Sequence, residues 1–375
     1  MALGAAALGG LIAVASASAA AETPPRTGAE VWEAGCAACH GSDGAGRSRD
    51  LVGFDVPLPD LRDCTFATSE PTPDWFAVVH EGGPVRGLDR MMPAFGGALT
   101  DQEISRVVDY LRGFCRDLPD WPLGELNLPR ALFTEKAFPE NEVVLTSNIA
   151  LRGAGSVMNE LVYEQRLGAR AMFEVGVPFG VLNQTGASSA PAGTAPSGWT
   201  AGLGDLGFAF KDAVVQSART GTILALGLDV SVPTGNADQG LGAGTTVFGP
   251  FAVFGQILPA GTFVQAHAGI DLPVDREVAK REVFWRALLG WSLSAHRFGR
   301  MWSPMLEVLG ARELDSGAAI SWDVVPEMQV TLSRRKHVRV NVGADVPVTE
   351  TADRHVQLGA YVLWDWYDGS LFKGW

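Results

Sequence analysis

Positive charge is scarce in this chain. Lys and Arg number 29 against 42 Asp and Glu, a net charge of −13 over 375 residues. Nucleic-acid binding needs a basic footprint, so that class is set aside. Long apolar runs are missing as well. After residue 22 no stretch reaches the roughly eighteen consecutive apolar residues of a membrane-spanning helix. A membrane β-barrel survives that test, because its alternating strands escape hydropathy scans. No phosphate loop, dinucleotide fingerprint or nucleophile–base set is present, so no catalytic residue is assigned. Only four cysteines occur, all before residue 116.

The first residues are rich in Ala, Gly and Leu and end Ser18-Ala19-Ala20-Ala21 before Glu22. Residues 1–21 therefore read as a secretory signal peptide, although no basic residue precedes Arg26. A retained N-terminal anchor helix is the alternative. Export places the mature chain in an oxidising compartment.

The composition divides the remainder. Residues 22–115 have helical periodicity. Thr27-x-x-Glu30 and Thr100-x-x-Glu103 are capping boxes that open helices. The second helix carries the stripe Ile104, Val107, Val108 and Leu111. Thr72-Pro73-Asp74 supplies a cap and a first-turn Pro before Trp75, and Gly82-Gly83 ends that helix. So small a domain has little core of its own, which suits a large buried cofactor. Residues 116–140 are Pro-rich and aperiodic, and read as a linker.

Within the helical part, Cys36-Ala37-Ala38-Cys39-His40 has the spacing that attaches a c-type haem. Two thiols one turn apart reach the two vinyl groups, and the following imidazole reaches the iron as proximal ligand. A zinc or redox Cys-x-x-Cys is the alternative. The sixth ligand is expected from Met91-Met92-Pro93, with Met92 preferred because it abuts the Pro. Met91 and His80 are rivals, the latter implying a lower-potential bis-His haem. The expected cofactor is thus one covalent haem c, with Cys36, Cys39, His40 and Met92 binding it and His40 and Met92 on the metal. The two cysteines left over, Cys64 and Cys115, are expected to pair. Two free buried thiols are the alternative.

From residue 141 to 375 the period changes to two. Val338, Val340, Val342, Ala344 and Val346 alternate with His337, Arg339, Asn341, Gly343 and Asp345. Twelve such segments can be counted: 142–152, 158–167, 170–182, 202–214, 220–233, 244–257, 260–273, 281–294, 299–311, 318–331, 337–348 and 354–367. Their connectors alternate short and long, as in outer-membrane barrels. Trp285, Trp302, Trp322, Trp364 and Trp366 fall toward segment ends, where an interfacial girdle lies. The other face carries Glu164, Arg166, Arg170, Glu174, Asp205, Asp229, Asp271, Arg286, Glu307, Asp323, Arg339 and Asp345. A soluble β-sandwich is the alternative, but its core would exclude those charges. The expected fold is an α-helical cytochrome c domain plus an antiparallel transmembrane β-barrel of about twelve strands.

Residues 27–115, with Cys36-x-x-Cys39-His40 and Met92-Pro93-Ala94-Phe95-Gly96 before Leu99-Thr100-Asp101-Gln102-Glu103-Ile104, resemble a class I monohaem cytochrome c. That resemblance implies electron transfer, attachment at Cys36 and Cys39, and axial ligation by His40 and Met92. The second part resembles the outer-membrane family associated with the meta-pathway of phenol degradation. The segments Gly202-Leu203-Gly204-Asp205-Leu206 and Leu226-Gly227-Leu228-Asp229-Val230-Ser231-Val232-Pro233-Thr234-Gly235 carry it, and it implies a channel. The whole arrangement is similar to the fused cytochrome–porins of iron-oxidising bacteria.

The leading expectation is an outer-membrane electron-transfer protein whose periplasmic haem domain caps the barrel. Twelve tilted strands close a ring of roughly 24 Å, and a domain of this length is over about 30 Å across, so it cannot enter whole. A transport channel gated or docked by the haem domain, and a haem oxidase of barrel-delivered substrate, are the alternatives. The expected partners are a periplasmic electron-transfer protein, a small-molecule electron donor or cargo, and outer-membrane lipid.

Overall fold

The computed structural model describes residues 26–115, 123–150, 152, 155–183, 198–352 and 354–366. The expected signal peptide and the first part of the linker lie outside these residues.

The first part is helical. Gly28–Val31, a π turn Trp32–Cys36 and Ala37–His40 follow one another and form helix α1. Four more helices follow: α2 (Arg49–Val52), α3 (Cys64–Ala67), α4 (Thr72–Glu81) and α5 (Asp101–Arg112). Both capping boxes form, at Thr27 with Glu30 and at Thr100 with Glu103. The stripe Ile104, Val107, Val108 and Leu111 is buried against Val31, Trp32, Ala37, Leu61 and Val79. The first and last helices touch at Gly28, where a Cβ would fall 2.2 Å from the Arg106 carbonyl oxygen. Cys64 and Cys115 form a disulfide with Cα atoms 5.3 Å apart, joining the start of α3 to the turn after α5.

The cap expected at Thr72 is different. Thr72 is the first helical residue, and its hydroxyl makes no capping bond. Its N–H donates instead to Glu125 Oε1 at 2.8 Å. Asp74 is engaged elsewhere, with Arg86 and Lys336 at 2.7 Å each.

The second part is a closed antiparallel barrel of twelve staves. They are β1 (Glu142–Ala150), β2 (Ser156–Leu167), β3 (Ala171–Asn183), β4 (Trp199–Leu203 continued by Leu206–Ser217), β5 (Thr222–Val232), β6 (Val247–Ile257), β7 (Thr262–Pro273), β8 (Glu282–Trp291, extended by Leu293–Ser294), β9 (Met301–Glu313), β10 (Ser321–Thr331), β11 (Val338–Pro347) and β12 (Gln357–Asp365). Each pairs with its sequence neighbours, and β12 returns to β1 with Glu142 opposite Asp365. All twelve expected segments are therefore staves. One end of the barrel carries short turns and the N-terminal domain; the other carries the longer loops.

Leu226, Leu228, Phe208, Phe210, Leu289, Leu306, Val342 and Val362 are exposed on the outer surface, as lipid contact requires. Trp291, Trp302 and Trp364 lie at the short-turn end, while Trp199, Trp285 and Trp322 lie at the other. Trp366 departs from the expected girdle. It is buried beyond the end of β12, beside Tyr163 at 5.8 Å. Two expected lumen charges also depart, because each sits in a connection rather than in a stave. Arg170 is in a short turn near Asp212. Asp205 is at the break of β4, where it accepts the N–H groups of Gly235 (2.8 Å) and Ala243 (2.6 Å).

The connector does more than join the two parts. Residues 126–141 run through the lumen at its short-turn half. The barrel wall grips their main chain. The Arg130 carbonyl accepts from Tyr361 Oη (2.5 Å), Gln329 Nε2 (3.1 Å) and Asn341 Nδ2 (3.4 Å). Glu307 accepts the N–H groups of Phe133 and Thr134, and Glu327 that of Leu132. Gln265 donates to the Pro129 carbonyl and Arg286 to that of Phe133. An aperiodic segment thus satisfies its backbone with side chains instead of a ladder.

Candidate functional site

In the helical part the haem-motif residues fall on α1 and on the segment between α4 and α5. Cys36 and Cys39 lie one turn apart on α1 and are half-buried. Among the described residues they are the only cysteines outside the disulfide. His40 ends α1 and is half-buried, with Nδ1 lacking a hydrogen-bond partner. Burial lowers the pKa of His40, which favours the neutral imidazole that a metal needs. Burial, and then Cys39, push the Cys36 thiol up to about 11.

Met92 packs against the same core cluster as Cys36, Phe95 and Leu99. Met91 is 47% exposed. The two adjacent methionines therefore face different surroundings. His80 is engaged otherwise: its Nδ1 lies 2.7 Å from Glu81 Oε1, and its ring packs against both Phe76 and the barrel residue Phe298. A thiol pair, a neutral imidazole without a partner and a half-buried thioether fit a haem iron and its vinyl groups.

The domain sits on two short turns of the barrel. Asp74 joins Arg86 and Lys336, His337 Nε2 meets Glu70 Oε1 at 2.9 Å, and Arg297 meets Asp101 at 2.6 Å. Arg86 also donates to the Phe298 carbonyl at 2.9 Å. Lys336 and Arg86 share the one buried carboxylate of Asp74.

Within the barrel the connector carries a network of its own. Arg130 contacts Glu142 (2.8 Å) and Glu164 (2.5 Å), Lys136 pairs with Glu140, and Lys211 reaches Glu135 at 2.7 Å. Every one of the twelve staves places a buried inward residue at this level, from Val144 and Val162 round to Asn341 and Leu363. Beyond the connector lies a cavity of about 410 Å³, lined by Arg130, Glu135, Glu174, Asp229, His267 and Arg286 among others. The sequence marked several wall charges but gave no sign of the segment they hold.

Parts of the chain are similar to known proteins. Residues 23–111 match the family described as cytochrome c oxidase, cbb3-type, subunit III. A gluconate 2-dehydrogenase cytochrome c subunit from Pantoea cypripedii is 35% identical over 94 residues. That alignment covers 24% of this chain and only 20% of the relative, so the chain spans about a fifth of that protein. Residues 271–371 also match a glyoxalase-like domain; here that stretch is antiparallel barrel staves with no helix among its described residues. Among solved structures, an outer membrane channel from Pseudomonas putida F1 has a TM-score of 0.44 at 14% identity, covering 63% of this chain and 99% of that one. The NanC porin has a TM-score of 0.40 at 7% identity, covering 60% and 98%.

The chain thus joins a cytochrome c-type domain, which implies haem, to a closed barrel of the outer-membrane type.

Proposed function

We propose that this protein transfers electrons at the outer membrane through one covalent haem c. In this reading Cys36 and Cys39 hold the haem, His40 and Met92 are its axial ligands, and the domain occupies the periplasmic mouth of the barrel. The haem supplies one-electron chemistry. The chain's own residues orient it, shield it and present it to a partner. The observation that carries the reading is the packing of the half-buried Met92 against the same core cluster that Cys36 packs against, with Met91 left exposed. The even number of staves supports the orientation, because both barrel ends then lie on the side of the short turns.

The partners in this reading are a periplasmic electron-transfer protein and a small-molecule donor. A cytochrome c subunit of a dehydrogenase among the relatives fits that role. The test is a denaturing gel stained for haem, followed by mixing the reduced protein with an oxidised periplasmic cytochrome. A stained band at the mass of the chain and rapid electron exchange are expected. Loss of stain on denaturation would refute covalent attachment.

The cavity of about 410 Å³ favours a second reading, in which a small molecule enters the barrel from the long-loop end. It would then be transported or oxidised. Transport requires the connector to move, since residues 126–141 occupy the lumen. Liposome swelling by small polar solutes tests that reading.

A further inference from the structure

The Met92 segment lies between α4 and α5 and is long, from Gly82 to Thr100. Within the domain it hangs from the last turn of α4. Phe95 N–H donates to the Val79 carbonyl at 3.0 Å, Gly96 N–H to that of His80 at 2.9 Å, and Gly83 N–H to that of Met92 at 3.0 Å. The His80 ring lies flat against Gly96, where a Cβ would fall 2.5 Å from His80 Cε1.

Both ends of this segment meet one dipeptide of the barrel, Arg297-Phe298. Before the segment, the Phe298 ring lies 5.3 Å from that of His80 and 6.2 Å from that of Phe76. After it, Arg297 Nη2 pairs with Asp101 Oδ2 at 2.6 Å, at the first residue of α5. The Arg297 guanidinium also lies over Phe76 at 5.4 Å and over Phe298 at 5.1 Å. From within the segment, Arg86 donates to the Phe298 carbonyl.

We propose that the barrel turn at Arg297-Phe298 clamps the two ends of the Met92 segment and thereby holds the haem's sixth ligand in place. His80, which the sequence offers as a rival ligand, acts as the buttress between that turn and Gly96. Phe298 and His80 are positioning residues, because in this reading they act through the Met92 segment and not as ligands. The physical basis is loop closure. A segment whose ends are fixed has fewer open conformations to lose when its Met binds. The Arg297–Asp101 pair is exposed and weak by itself. The ring cluster of Phe298, His80 and Phe76 is the stronger part. Ligation is therefore tighter in the docked domain than in a domain whose clamp is cut.

The inference rests on Met92 ligation as proposed above. The experiment uses the full haem-loaded chain in detergent and titrates it with imidazole, which displaces a weakly held Met. Phe298→Ala combined with Arg297→Ala should bind imidazole about tenfold more tightly than the parent chain. It should also lose its near-infrared sulfur-to-iron band at lower temperature. Phe298→Tyr, which keeps the ring contact, should restore the parent behaviour, a response that general damage would not give. Heat-modifiable gel migration checks that the barrel is intact in each variant. Equal imidazole affinity in the parent and the double variant overturns the clamp. Absence of the sulfur-to-iron band in the parent overturns Met92 ligation itself, and the clamp with it.

Discussion

Glu125 Oε1 accepts the N–H of Thr72 at 2.8 Å, so the cap of α4 comes from the connector that enters the barrel. The Gly124 N–H donates to the Thr68 carbonyl at 2.7 Å beside it, and Arg112 lies 3.6 Å from the same carboxylate. The cytochrome fold and the barrel's filling segment thus share one anchor. Replacing Glu125 by Ala should cost about 1 kcal/mol, the usual value for a lost N-terminal cap. Haem absorbance during urea unfolding measures this, and an unchanged midpoint would show that water caps α4 equally well.

The same residue shows how far sequence reading reaches. Thr27 with Glu30 and Thr100 with Glu103 are legible because donor and acceptor lie three positions apart. Glu125 lies 53 positions from Thr72, and nothing local marks it. The twelve staves are legible for a similar reason: lipid outside and polar lumen inside impose a period of two. Residues 126–141 are not. They bury Leu126, Leu128 and Phe138 beside Lys136 and Glu140 in an order set by the curved wall around them, so no period survives. Disulfide formation by Cys64 and Cys115 follows from composition and compartment alone. The separate surroundings of Met91 and Met92 needed the folded chain.

Met92→Ala should abolish the ferric sulfur-to-iron band, while Met91→Ala should leave it. His80→Ala should weaken the band without abolishing it, in keeping with a buttress. Loss of the band in Met91→Ala alone would move the ligand by one residue. A spectrum changed in type only by His80→Ala would indicate bis-His ligation.

The connector's charges should behave as a set. Arg130→Met leaves Glu142 and Glu164 buried without that cation and should cost about 3–5 kcal/mol. Combining it with Glu142→Gln and Glu164→Gln removes both signs and should recover most of the loss. Limited proteolysis within residues 124–140 reports the outcome, with rapid cleavage in the single variant and slow cleavage in the triple. Equal resistance in all forms would mean the network does not hold the segment.

The two faces of β5 should differ. Leu226→Arg places a charge on the lipid side and should cost about 2–4 kcal/mol in vesicle folding titrations. Gly227 is a poor lumen control, since a Cβ there falls 2.2 Å from the Phe251 ring. Ser231 lines the open cavity, so Ser231→Arg should be tolerated. Equal penalties at Leu226 and Ser231 would contradict the assignment of faces.

Acid should weaken one half-buried pair. Arg26, hydrogen-bonded at 2.8 Å, holds the Glu103 carboxyl down to about 2 from an ordinary value near 4.5. A depressed carboxylate stabilises the fold above its unfolded pKa, and the contribution is lost as pH falls toward the folded value. Thermal unfolding of the haem domain should therefore separate the parent from Glu103→Gln above pH 4.5. The two should converge as the pH approaches 2. A constant difference across that window would assign the effect to the capping geometry alone.

The reduction potential of the detergent-solubilised full chain tests the central claim most directly. A single one-electron wave at positive potential is expected, because thioether ligation favours ferrous iron. Met92→Ala should shift that wave strongly. A negative potential that Met92→Ala leaves unmoved, or no haem wave at all, would contradict a Met-ligated electron carrier on the barrel.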